Sequence, residues 1–284
     1  MRVAIASCQN IPEPDPDEEL LVDALRKRGL TPSVLAWDDP TAPFGDQDLV
    51  VLRSTWNYFE AVDAFVAWAE RVAGKTRLLN PPRIVAWNAK KTYLRELADR
   101  GVAIVPTEFV PKGSSRRAAD IMRDNGWDKI VVKPVVSAGS FRTERFSASE
   151  GDAADRFLAE LASERDTMVQ KWMATVDSYG ERSLVWIDGE VTHAIRKSPR
   201  FAGGVESVSS EVPIADDERA FALRALAPFA SELLYGRVDM IRDADDGSLR
   251  IMELELVEPS LFFVQAPRAL DRFVAAIARR VETK

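Results

Sequence analysis

Residues 235–260, YGRVDMIRDADDGSLRIMELELVEPS, constrain the fold more than any other stretch of this 284-residue chain. Two β-rich runs flank an Asp-Asp-Gly turn, the sequence form of an antiparallel hairpin. Side chains alternate along a strand, so Glu253 and Glu255, two apart, share one face of the second run. A register pairing Ile241 with Ile251 sets Asp239 opposite Glu253 on that face and leaves Met240, Met252 and Leu254 to the other. Carboxylates inside apolar strands are costly without a counter-charge. An all-oxygen set suits a hard cation such as Mg2+, with Mn2+ as its substitute, and such an ion typically bridges to nucleotide phosphates. A solvent-facing acidic stripe on an edge hairpin is the plainer alternative that the same pattern permits.

The chain is long enough for a large core spread over two or three lobes. Its net charge of −7, with no sustained basic run, argues against nucleic acid and against an anionic membrane surface. No run approaches the ~18 apolar residues of a membrane span, and the apolar part of MRVAIASCQ is too short for a signal peptide. The single cysteine, Cys8, cannot form an internal disulfide, which fits a reducing, cytoplasmic setting. His193, the single histidine, has no serine or cysteine companion in sequence and reads as structural.

The first third alternates strands (2–7, 33–37, 48–54) with helices (16–28, 62–72), which predicts an open α/β layer with parallel strands. Asp15 is the expected cap of the first helix. Ligands of such layers sit beyond the carboxyl ends of strands. Arg53, Ser54 and Trp56 leave the third strand there and are candidates to hold a small polar molecule with a carboxylate. The alternative is a loop with packed aromatics and a solvated arginine.

Further on, a helix is expected over 89–100 with Lys90 and Lys91 in its first turn, a mildly unfavourable place for cations, so either they are solvated or an anion is bound nearby. Lys133 interrupts the apolar strand 128–134 just before the small loop Ser137-Ala138-Gly139-Ser140, a workable phosphate grip or else a snorkelling surface lysine. Helices are expected near 114–125, 150–162, 216–234 and 266–282, and a strand over 167–173. Asp188-Gly189 predicts a tight hairpin within 180–198, and the polar loop 200–212 is a candidate lid.

Taken in order, these features resemble the ATP-grasp superfamily of carboxylate–amine ligases: a helix-opening lysine, a strand lysine with its loop, Gln170-Lys171-Trp172-Met173, Glu181-Arg182, Asp239, then Glu253 and Glu255. The resemblance spans the chain and is nearest to the branch of glutathione synthetase, D-alanine–D-alanine ligase and the glutamate ligases that modify a ribosomal protein. RSTWNY, WNAKKTYL and ELELVEPSLF look closest to small ligases typified by the O-ureido-D-serine cyclo-ligase. It implies an N-terminal α/β domain (1–88), a small ATP-grasp lobe (89–172) and a C-terminal lobe with the metal site (173–284).

The resemblance also implies roles. Lys91, with Lys90 one position away as its rival, and Lys133 would hold phosphates. Gln170 to Met173 would form the adenine hinge through the backbone of Lys171 and Trp172. Glu181 would take the ribose, with Arg182 beside it toward substrate. Asp239, Glu253 and Glu255 would bind Mg2+; the third position is usually Asn in the family, and the extra charge of Glu255 is expected to tighten the metal. Arg196 or Arg200 would steady the reacting phosphate and carboxylate. The reaction implied is ATP-dependent activation of an amino-acid-like carboxylate as an acylphosphate, followed by condensation with an amine, and relatives allow a homodimer. The competing readings are a kinase-like phosphotransferase and a nucleotide sensor or scaffold without chemistry.

Overall fold

The structure, a computed structural model, describes residues 1–198 and 207–282. β1 (Arg2–Ser7) pairs in parallel with β2 (Thr31–Ala36) and with β3 (Leu49–Leu52), and β4 (Arg77–Leu79), which sequence patterning missed, extends the sheet beyond β3. Residues 3–6 and 49–52 are fully buried because helices cover both faces. Leu21 and Leu25 of α1 (Glu18–Lys27) pack on one face with Val3, Ile5 and Leu49. Phe65 and Trp68 of α2 (Val62–Ala73) pack on the other with Ala4, Val50 and Leu52.

Two local expectations change. Asp17, not Asp15, occupies the N-cap position of α1, and its side chain does not cap it. Its carboxylate instead accepts the N–H groups of Phe263 (2.8 Å) and Val264 (3.3 Å), tying the N-terminal layer to the end of the chain. The single helix expected over 89–100 is two. The prolines at 81 and 82 start α3 (Pro82–Asn88), since proline suits a first turn, and α4 (Tyr93–Asp99) follows. Lys90 and Lys91 lie in the link between them, where the Lys91 N–H donates to the Val135 carbonyl.

A second sheet contains β5 (Thr107–Val110), β6 (Lys129–Pro134), β7 (Glu144–Ser147) and β8 (Thr167–Lys171) in the antiparallel order β5-β8-β6-β7. α5 (Ala118–Asn125) and α6 (Gly151–Glu164) bury Ile121 and Leu158 with Ile130, Val132 and Val169 of that sheet. The third sheet holds β9 (Glu181–Ile187), β10 (Glu190–Ser198), β11 (Ser207–Val208), β12 (Tyr235–Arg242) and β13 (Leu249–Glu255), ordered β11-β10-β9-β12-β13. Asp188 (φ 47°) and Gly189 (φ 92°) both take the left-handed region, as the β9–β10 turn requires. α7 (Asp216–Leu226) ends earlier than expected, and α8 (Pro267–Glu282) closes the described chain. No helix among the described residues is long and apolar enough to cross a membrane.

The acidic hairpin reaches the expected juxtaposition by another register. Met240 pairs with Ile251 and Ile241 with Arg250, one residue off the expected pairing. A bulge absorbs Met252, so Asp239 still faces Glu253 and Arg237 faces Glu255. The bulge also turns Met252 away from Met240 and toward Val105, Met173 and Val176.

Two asparagines hold the α/β layer against the third sheet. Asn80 donates to the Tyr235 and Leu256 carbonyls at 2.8 and 2.7 Å and accepts the Leu234 N–H at 2.8 Å. Asn88 donates to the Leu254 carbonyl and accepts the Leu256 N–H. Asn80→Ala would leave three buried backbone groups unpaired, at ~1–3 kcal/mol for each group. We expect the unfolding free energy to fall by ~3 kcal/mol or more, read from denaturant midpoints; a change under ~0.5 kcal/mol would refute the clasp. His193 is buried, with Nε2 2.9 Å from the Leu261 carbonyl. Burial lowers its imidazole to about 4 despite that bond. The unfolded chain therefore binds a proton that the fold does not between pH ~6.5 and ~4, so stability should fall as pH drops through that window. His193→Gln should flatten this part of the stability–pH curve.

Candidate active site

Between the second and third sheets lies a cleft of ≈ 490 Å³. One end is apolar: Val105, Val131, Met173, Val176 and Met252 line it together with Trp172, whose ring carries the Arg145 guanidinium at 4.9 Å. This slot fits a flat aromatic base. The hinge differs from expectation in its donors. The Lys171 N–H already donates to Pro106 O and the Trp172 N–H to Lys129 O, both at 2.9 Å, because the chain is still pairing as it leaves β8. The Met173 N–H has no backbone acceptor among the described residues, and Met173 lines the slot. Gln170 lines the cleft and donates to the Thr107 hydroxyl.

Next to the slot, buried charges neutralise one another across the sheets. Lys133 Nζ of β6 lies 2.8 Å from Glu253 Oε1 of β13. Lys91 Nζ lies 3.7 Å from Glu253 Oε2 and donates to Ser137 O at 2.7 Å, so the 137–140 loop is drawn to the same point. Lys197 Nζ of β10 pairs with Asp239 at 2.8 Å and with Glu181. The Arg237 guanidinium makes a fork to Asp239 (2.9 and 2.8 Å) and pairs with Glu255. Lys90, by contrast, is exposed and pairs with Asp63, so of the two neighbouring lysines the cleft holds Lys91.

Burial and partners set these carboxyls apart. Burial alone would raise Glu253, but Lys133 and Lys91 outweigh it and hold the group down at about 2. Burial is likewise outweighed at Asp239, which Arg237 and Lys197 keep well below the usual carboxylate range. At Glu181 and Glu255 burial wins over Lys197 and Arg237, and each rises to about 7. Glu258, just past β13, rises to about 8 through burial and then the charge of Glu255. Among the described residues no three acidic, histidine or cysteine side chains form a ready metal cage, and Asp239 lies beneath the residues that line the cleft. The three carboxylates thus share a face without converging, because each is drawn to a cation. Glu255 in particular is paired with Arg237.

Strand phase corrects two more expectations. Glu181 and Lys197 face the cleft, so Arg182 and Arg196, each one residue away on β9 and β10, face the opposite side. Arg182 bonds Glu218 there, at 3.0 Å. Arg196 packs on Gly180, with its Nε buried and unpartnered. Arg200, and most of the candidate lid start around Gly203 and Gly204, lie outside the described residues. Arg53 and Ser54 do not line the cleft either. The Arg53 N–H still bonds Ala6 O, and the side chain is buried beside Asp15 and Asp17 (3.8 Å each) while donating to Pro259 O at 2.7 Å. Ser54 donates to the Ser7 hydroxyl. Trp56 does reach the cleft. Lys197, Arg237 and Glu258 were missed in sequence. The signal for Arg237 was its place two residues before Asp239, and for Lys197 its pairing with Glu181 across the Asp188-Gly189 hairpin.

Similarity to known proteins agrees with this geometry. Residues 3–80 match the family profile described as D-cycloserine synthetase DcsG, N-terminal domain. The chain is 34% identical to the cycloserine biosynthesis protein DcsG of Streptomyces lavendulae, over 94% of this chain and 95% of that protein. The crystal structure of D-cycloserine synthetase DcsG superposes with a TM-score of 0.90 at 32% identity, covering 99% of this chain and 100% of that one. The ATP-grasp ligase PsnB, solved with Mg, ADP and a variant of its minimal precursor, shares the fold at TM-score 0.67 and 19% identity, over 99% and 98% of the two chains. The chain belongs to the family of D-cycloserine synthetase DcsG, whose members are ATP-grasp carboxylate–amine ligases.

Proposed function

We propose that this ligase closes a ring: it activates the carboxylate of a small amino-acid-like molecule with ATP and joins it to a nitrogen carried by the same molecule. The observation that carries the reading is end-to-end similarity, at 34% identity, to a protein of cycloserine biosynthesis. The cleft is equipped for it. An adenine fits the apolar slot, with the Met173 N–H as its donor and Glu181 near the ribose. Lys91 and Lys133, with the Ser137–Ser140 turn, hold the phosphate chain. Glu253, Glu255 and Asp239 are the oxygen donors that would hold Mg2+, which when bound draws charge off the β- and γ-phosphates. A triphosphate would compete for Lys91 and Lys133, and so release Glu253 for that duty. Residues 1–88, 89–172 and 173–284 serve as the substrate-side layer, the phosphate-gripping lobe and the metal-bearing lobe.

In the reaction the substrate carboxylate attacks the γ-phosphorus, ADP leaves, and an acylphosphate forms. The nitrogen then attacks the acyl carbon, phosphate leaves, and the nitrogen loses a proton. No side-chain nucleophile takes part; positioning and fixed charge do the catalysis. Arg237, buried at the cleft with its guanidinium between Asp239 and Glu255, is the group suited to steady the oxygen that gains charge. The groups named here come from one chain, so a homodimer is not needed to assemble them.

Wild-type enzyme given ATP, Mg2+ and a panel of D- and L-amino acids bearing an aminooxy nitrogen should release ADP and phosphate and yield a product lighter than its substrate by one water. An intermolecular amide would instead redirect the reading to condensation between two molecules, and a stable phosphorylated product would redirect it to a kinase. Glu253→Gln should lower kcat by about 10²–10³, the usual loss when one preorganised charge is removed from such a site. Its far-UV circular dichroism should be unchanged, and full turnover in that variant would remove Glu253 from the scheme.

A further inference from the structure

Every carboxylate that the third sheet turns toward the cleft has a cation within ion-pair distance: Glu181 has Lys197, Glu253 has Lys133 and Lys91, and Glu255 has Arg237. Glu258 does not. It lines the same cleft and sits on the loop that follows β13. Among the described residues its side chain makes no ion pair, and the hydrogen bond that eases its charge comes from its own backbone N–H. A partly buried carboxylate in this position is stabilised by an external cation.

The loop is held so that this side chain stays put. The Trp56 indole N–H donates to the Glu258 carbonyl at 3.0 Å, and Arg53 Nη1 donates to the next carbonyl, that of Pro259, at 2.7 Å. Trp56 and Tyr58 form the adjoining wall of the cleft, and aromatic faces favour a neighbouring cation. Lys91, which serves the phosphate side, is close enough for its charge to act on Glu258. The carboxylate therefore stands at the substrate end, next to where a carboxyl group would be activated. An amino acid brings one group of matching charge, because its α-amine is largely protonated near neutral pH.

We infer that Glu258 is a specificity-determining residue that receives the α-ammonium group of the substrate. The assignment rests on the ring-closing reading for its choice of substrate. It adds that the α-amine is recognised as a spectator, held by Glu258 and kept away from the acyl carbon that the other nitrogen attacks.

The test compares O-amino-D-serine with 3-(aminooxy)propanoic acid, which lacks only the α-amine, by calorimetric titration in the presence of Mg2+ and the non-hydrolysable analogue AMP-PNP. Wild-type enzyme should bind the amine-bearing acid at least tenfold more tightly. Glu258→Gln and Glu258→Met should bring that ratio close to one, with AMP-PNP affinity retained as the sign of an intact cleft. Glu258→Asp should keep most of the preference. A ratio that survives in both neutral variants, or a wild type that does not discriminate, overturns the assignment. Mass spectrometry of the same mixtures with ATP separates the two ideas: a preference that follows Glu258 without cyclic product keeps this assignment and rejects ring closure.

Discussion

Mutual neutralisation of buried charge between the second and third sheets is the interaction on which the rest of this molecule depends. Asp239, Glu181 and Glu253 sit on strands whose neighbours are apolar, and none could remain ionised there alone. Lys133 arrives from β6 and Lys91 from the α3–α4 link, so the ion pairs to Glu253 are also the contacts that bring distant parts of the chain to one point. Lys197 and Arg237 do the same within the third sheet. The cations that satisfy the carboxylates are the ones a triphosphate would engage. On the proposed function, nucleotide entry would be an exchange of partners among groups already in place, which is what preorganised electrostatic catalysis requires.

The N-terminal layer supports this arrangement from behind. Asn80 and Asn88 bond the backbone of residues 254–256, and the Tyr235 hydroxyl reaches back to the Leu52 and Val257 carbonyls. Asp17 and Arg53 fix the loop that continues from β13. The parallel layer therefore does more than add a wall to the cleft: its hydrogen bonds hold the backbone at the end of the acidic strand and at Glu258 beyond it. The ends of β3 are where ligand contacts are expected in an open α/β layer. Here the segment leaving that edge supplies aromatic cleft residues, Trp56, Tyr58 and Phe59, while Arg53 and the Trp56 indole bond the neighbouring loop.

Much of this was legible in sequence wherever a local pattern had one outcome. The Asp188-Gly189 turn, the apolar run around Lys133 and the Glu-x-Glu spacing each admit few structures. Short β4, β5 and β7 escaped because their stability comes from pairing rather than from their own composition. The registers that matter chemically were less accessible. Arg182 and Arg196 are adjacent to cleft residues in sequence and opposite them in space, a consequence of single-residue phase. Arg53 carries the right chemistry for a ligand's carboxylate, yet its backbone is still bonded to β1 and its side chain turns to Asp15, Asp17 and Pro259 instead of the cleft. The hinge donors were misplaced for the same kind of reason, since pairing at the last residue of β8 and one residue beyond it occupies the N–H groups of Lys171 and Trp172.

Glu255 shows how a change in charge is absorbed rather than added. In place of the asparagine that resemblance led one to expect, a carboxylate meets Arg237, and the guanidinium is then shared between Asp239 and Glu255. An arginine with two carboxylate partners exerts a weaker field on a third group than one with a single partner. Its influence on a reacting acyl oxygen would grow only as either carboxylate turns to a metal ion. The pKa near 7 at Glu255 points the same way, because burial keeps this group easier to neutralise than Asp239. Arg237 would therefore become fully effective only when the metal and nucleotide are both in place, which ties the strength of the catalytic field to the presence of the complete set of reactants.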